Sequence, residues 1–172
     1  HPLPMKVLMI LFLSFILFFA HLGSIALRDP DEPRQAIMAR EMMERNDYVH
    51  PYLNGKPYLE KPPFFPWMIV VVSKARGTVD EFSSRLPAAA SATLLLLITY
   101  FLGCMIADPK SGFLAAMALA TNYQFLSNAR ESVMDMTFAL FIGLTIFLNY
   151  VCMVKNRRGL FVLSFIPSSI AI

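Results

Sequence analysis

Four long stretches of this chain, residues 7–27, 86–107, 111–129 and 136–154, carry no formal charge. At 1.5 Å of rise per residue, about 20 helical residues cross the roughly 30 Å hydrocarbon core of a bilayer. A fifth run, 159–172, begins the same way and meets the end of the sequence without a closing polar flank. A span that stops so early is unusual, so the sequence reads as the opening part of a longer one. Hydrophobic residues make up 56% of the chain, above the usual share in soluble domains. The expected fold is all-α: a polytopic transmembrane helical bundle of about four full spans plus a truncated fifth.

The first run follows Lys6 and has the layout of a secretory signal. Its apolar length exceeds a typical signal core and more spans follow, so it reads as a retained signal anchor. Met5-Lys6 looks like a natural start. Lys155, Arg157 and Arg158 cluster after the fourth run, and short loops rich in Lys and Arg stay cytoplasmic. Counting back puts the turn at 108–110 inside, 128–135 outside and the N-terminus inside. The loop 28–85 is then external. Its acidic and basic residues are equal in number, so the net charge of +3 arises elsewhere. A balanced loop is no nucleic-acid patch; the excess positive charge reflects orientation in the membrane. Cys104 and Cys152 have no metal-ligand spacing and read as small residues of the membrane core.

The external loop is organised. Pro33 suits the first position of a helix, behind Asp31 and Glu32, whose charges favour the positive end of its dipole. Over 34–46, helical spacing gathers Ala36, Ala39, Met42 and Met43 on one side. Arg40, Glu41, Glu44 and Arg45 take the other, with Arg40 and Glu44 spaced as a surface pair. Asn46-Asp47 ends this interfacial helix. Residues 48–58 read as irregular, with a turn at Asn54-Gly55. A second juxtamembrane element, 64–72, follows Pro62-Pro63 and is too short to span. Arg85-Leu86-Pro87 opens the next run.

Carboxylates beside a membrane serve as general bases or metal ligands, and cations there stabilise phosphate charge. Asp31, Glu32 and Arg34 form one such group and Glu60-Lys61, held between prolines, a second. Asp135, just after Arg130 and Glu131, is a third. Solvated loop charges paired among themselves account for the pattern equally well on physics alone. His21 reads better as an interfacial polar residue than as a contact to substrate. His50 lacks the second histidine a metal site wants. Trp67, Tyr48, Tyr52 and Tyr58 suit an interfacial aromatic belt as well as a sugar platform.

The strings D-P-D-E-P-R-x-A-x-x-A-R-E-M, L-N-G-K-P-Y-L-E-K-P-P and E-F-S-S-R-L-P-A occur in order. Together they resemble the start of the bacterial dolichyl-phosphate-mannose-protein mannosyltransferase-like family, which includes undecaprenyl-phosphate aminoarabinose transferases. The resemblance covers about 27–135. It implies a GT-C-type membrane glycosyltransferase with two juxtamembrane helices in its first external loop. Such an enzyme moves a sugar from a polyprenyl-phosphate donor to a lipid, glycan or protein acceptor at the external face of the plasma (inner) membrane. Carried over by residue, Asp31 matches the first-loop catalytic aspartate and Asp135, at the start of the fourth span, a second catalytic acid. Arg34 and Lys61 match cations near the donor phosphate. Glu60 matches a glutamate that in some relatives helps hold a divalent metal.

Two features depart from the family pattern: Gln35 stands where tyrosine is common, and Glu131 is an additional acid. The competing reading is a non-catalytic membrane subunit that grips lipid phosphates through Arg34 and Lys61. A transporter segment fits less well, because the span interiors lack ionisable residues.

Overall fold

A computed structural model describes residues 5–28 and 30–154. The chain opens with α1 (Met5–Ser14), continued by one π-helical turn, Phe15–Phe19. Next come α2 (Asp31–Arg45), a minimal antiparallel hairpin of β1 (Tyr52–Leu53) and β2 (Lys56–Pro57), and α3 (Phe64–Arg76). Four further helices complete the described part: α4 (Glu81–Ile106), α5 (Pro109–Ala120), α6 (Tyr123–Ala129) and α7 (Asp135–Val154). Among the described residues, α4 and α7 are long and apolar enough to cross a membrane, and Met5–Phe19 is a shorter apolar helix. The fifth run at 159–172 and the basic cluster Lys155, Arg157 and Arg158 lie outside the described residues.

The expected spans at 7–27 and 111–129 are thus shorter as helices than as apolar runs, for identifiable reasons. The first ends at Phe19 because Ala20 is extended and His21 adopts a left-handed φ of 55°. The carbonyls beyond are taken by arginine side chains, not by helical amides. The third is divided at Thr121-Asn122. Thr121 Oγ1 donates to the Met117 carbonyl, and the Asn122 side chain caps α6 by accepting from Phe125 N–H. By contrast, α4 starts earlier than Arg85. Asp80 and Ser83 form a reciprocal capping box, which sets the start at Glu81 and leaves Pro87 inside the helix.

In the loop, α2 begins at Asp31, so Pro33 falls within the first turn, where a missing N–H breaks no helical bond. Ala36, Met38, Ala39 and Met42 are buried, while Arg40, Glu44 and Arg45 are exposed. The surface pair is Arg45–Glu41 at 3.3 Å. Arg40, expected to face Glu44, instead donates to the Val79 carbonyl. Asn46, at φ 54°, closes the helix. Asn54 and Gly55 both have positive φ, the signature of a tight hairpin turn, and Gly55 N–H donates to Glu41. α3 extends beyond the expected 72 to Arg76 and stops at Gly77, φ 83°.

The helices meet through small residues. Ala88, Ala89, Ser91 and Ala92 of α4 are buried, and Ser91 lies 3.4 Å from Thr137 of α7. Where α4 turns into α5, Gly103 and Gly112 bring the two backbones together, the close approach small residues allow in membranes. A Cβ on Gly103 would fall 2.5 Å from Gly112 Cα, and one on Gly112 would fall 2.9 Å from the Cys104 amide nitrogen. Both obstacles are backbone. Gly112→Ala should therefore lower the stability of the detergent-solubilised protein by about 1–3 kcal/mol in a denaturation series. Substitution at Gly77, which has open space around it, tests only φ strain.

Candidate functional site

The site is built on a buried ion pair. Glu32 and Arg85 have side chains 2% and 6% exposed and meet in a two-pronged contact, both bonds 2.8 Å. The remaining guanidinium protons go to the carbonyls of Leu22, Ile25 and Ala26 at 2.7–3.1 Å, so all five donors of the group are used. Glu32 also accepts from the backbone N–H of Arg28 at 2.8 Å and of Ser132 at 2.6 Å. Burial by itself raises the Glu32 pKa. The Arg85 hydrogen bonds and the two backbone amides outweigh it and hold the carboxyl below its ordinary value.

This arrangement ties four chain regions together: the exit from the first apolar helix, the start of α2, the start of α4 and the turn before α7. Arg130 adds a second tie by donating to the Leu17 and Ala20 carbonyls at 2.6 and 2.9 Å. Glu131, the unexpected acid, accepts from Ser127 Oγ and pairs with Arg28 at 3.4 Å.

The consequence is positional. Asp31 precedes Glu32, and Asp135 follows three residues after Ser132. The 2.6 Å bond between Glu32 and Ser132 N–H therefore brings two distant acids to one place. Asp31, Asp135, Lys61, Gln35, Val133 and Met134 line a single hollow of about 180 Å³. Asp31, Asp135 and Lys61 are exposed, and Gln35 is buried in the wall. Glu60 lies beside it, lining with Lys61, Pro62 and Pro63 an adjoining depression of about 380 Å³. Arg34 is not part of the lining. It pairs with Asp31 at 3.6 Å and so stands behind that carboxylate. Burial and the nearby Glu60 carboxylate push the Tyr58 phenol up, with Arg34 opposing.

Other singled-out residues have structural work. His50 Nδ1 is 3.1 Å from Asp47, and Trp67 Nε1 donates to the Tyr48 carbonyl at 2.6 Å. Arg45 covers the Tyr52 ring and Lys74 the Tyr48 ring, each at 4.3 Å. Among the described residues, no group of three or more His, Cys, Asp or Glu gathers to hold a metal. Glu60 therefore lacks companions there for the divalent ion the resemblance implied.

Residues 60–172 match the dolichyl-phosphate-mannose-protein mannosyltransferase family. The chain belongs to that family. A protein described as uncharacterized from Aquifex aeolicus (strain VF5) is 31% identical over 97% of this chain and 34% of its own length. An undecaprenyl phosphate-alpha-4-amino-4-deoxy-L-arabinose arabinosyl transferase from Pseudomonas savastanoi pv. phaseolicola (strain 1448A / Race 6) is 31% identical over 80% of this chain and 26% of its own. The crystal structure of ArnT from Cupriavidus metallidurans bound to undecaprenyl phosphate superposes with a TM-score of 0.88 at 26% identity. It covers 96% of this chain and 31% of that one. The chain thus spans roughly a quarter to a third of the length of the mannosyltransferase-family relatives it matches.

The ion pair makes two measurable demands. Glu32→Gln leaves Arg85 buried without its counter-charge and should cost about 3–5 kcal/mol in denaturation experiments. The pH dependence follows from the depressed Glu32 pKa. Its stabilisation is complete above the ordinary value of 4.5 and is lost as pH falls through the lower folded value. A melting-temperature profile from pH 7 downward should show this acid-side loss in wild type, and less of it in Glu32→Gln.

Proposed function

We propose that this chain forms the donor-facing part of a membrane glycosyltransferase, or of a segment of one. The enzyme transfers a sugar from a polyprenyl-phosphate donor to a lipid, glycan or protein acceptor. The observation that supports this reading best is the shared hollow, in which two carboxylates and an ammonium from three chain regions face one space. A phosphorylated sugar needs these groups. Lys61 neutralises the donor phosphate, and the acids address the acceptor and the sugar. The binding of undecaprenyl phosphate by the similar Cupriavidus metallidurans protein supports the same class of donor.

The chemistry is a single displacement at the anomeric carbon. A bond forms from the acceptor oxygen to that carbon as the bond to the phosphate oxygen breaks. Asp31 takes the acceptor's proton. It begins α2, where the helix dipole favours a carboxylate, and Arg34 behind it holds its orientation. The polyprenyl phosphate departs as an anion, so it wants a cation beside it and no acid. Asp135, at the first residue of α7, lines the same hollow and positions the sugar. Where the acceptor is itself a phosphate, the base matters less and positioning dominates. The reading puts the hollow at the external face of a multi-pass protein of the plasma membrane. A divalent ion at Glu60 would draw its other donors from beyond the described residues, and no step is assigned to it.

In the full-length protein, Asp31→Asn should lower sugar transfer by about 10²–10⁴-fold while membrane insertion and donor binding persist. Lys61→Ala should weaken donor binding. A transfer assay with radiolabelled donor, alongside lipid-binding measurements, separates the two. Unchanged transfer in Asp31→Asn removes the base assignment. Dependence on Lys61 and Arg34 alone, without transfer, would favour the non-catalytic lipid-phosphate binder.

A further inference from the structure

Gln35 is the polar lining residue of the hollow with no role so far. It follows Asp31 by four residues on α2, and that spacing puts both on one helix face. It is 5% exposed, yet it forms part of the wall. Its amide oxygen is buried and has no hydrogen-bond partner among the described residues. An unpaired buried acceptor is costly, and such groups persist where a ligand or water completes them. The planar amide turns readily about its last torsion, so it can offer its acceptor or its donor to the hollow.

The rest of the lining narrows the ligand. Lys61 supplies charge for a phosphate, and Asp31 and Asp135 are acceptors with charge. Gln35 is the neutral polar group, and it recognises by hydrogen bonding alone. Its natural complement is a hydroxyl or amine, which donates to the amide oxygen.

From this placement we infer that Gln35 holds a hydroxyl or amino substituent of the transferred sugar and sets which donor sugars the hollow accepts. The inference rests on the polyprenyl-phosphate reading above. A site built to bond a substrate hydroxyl or amine discriminates sharply against a ligand without one.

The test is a binding series on the full-length protein in detergent, followed by native mass spectrometry. The probes are undecaprenyl phosphate without a sugar, with a pentose and with an aminopentose. Wild type should bind at least one sugar-bearing lipid more tightly than the bare one. Gln35→Ala should reduce that preference about tenfold or abolish it, with bare-lipid affinity unchanged. Its melting temperature should not fall, because an unpaired buried group has been removed. A Gln35→Ala protein that keeps the wild-type preference overturns the inference. So does one that loses affinity for all three lipids together with stability, which is the mark of a structural role. A wild type that binds bare undecaprenyl phosphate without preferring any sugar also overturns it, and leaves the donor-lipid reading standing. Failure to bind the bare lipid at all sinks that reading and the inference with it.

Discussion

The Glu32–Arg85 pair decides where everything else in the loop can go. Removing two charges from water carries a penalty of several kcal/mol per ion, and it is offset only when every lone pair and proton finds a partner. Here that condition is met, since Glu32 accepts four hydrogen bonds and Arg85 donates five. Most of the partners are backbone groups from segments that have left helical geometry. An apolar chain emerging from a membrane helix has carbonyls to satisfy, and Arg85 satisfies three of them in one place. The same guanidinium then fixes Glu32, which captures the amide of Ser132. Stabilising the end of one helix thereby ties it to the start of α2, to α4 and to the turn before α7.

Much of this was legible in the sequence as composition and periodicity. The apolar runs announced a helical membrane protein. The alternation of Met and Ala with charges announced α2, and Asn54-Gly55 announced the hairpin. Loop charges put Asp31, Lys61 and Asp135 on one membrane face and the resemblance makes them one site, while nothing local relates residue 31 to residue 135. The anchor itself went unread. Glu32 looked like a charge suited to a helix dipole, and Arg85 like the polar edge of a span. The available signal was an arginine placed where an apolar run begins, with no acid near it in sequence except Glu81 and Asp80. The helix ends fall short of the apolar runs for a related reason. Apolar length says nothing about whether a side chain will claim the helix's last carbonyls, and at Phe19 and Thr121 side chains do.

Consecutive acids at 31 and 32 show how the fold turns one dipeptide into two functions. Successive helical residues project about 100° apart, so neighbours on α2 cannot face the same surroundings. Glu32 turns inward and is 2% exposed at its side chain, while Asp31 keeps 64% of its side chain accessible at the hollow. One carboxylate is consumed in holding the scaffold, and its neighbour stays open to ligand. Because the buried acid is fixed by hydrogen bonds in several directions, the backbone of the exposed acid beside it is held in a defined position. The same division recurs at the other wall, where Ser132 is held by Glu32 and Asp135, three residues on, faces the hollow. Two exposed acids held at one hollow by a buried pair of opposite charges need no rigid loop of their own. That explains how an irregular segment can hold side chains from distant parts of the chain at one hollow.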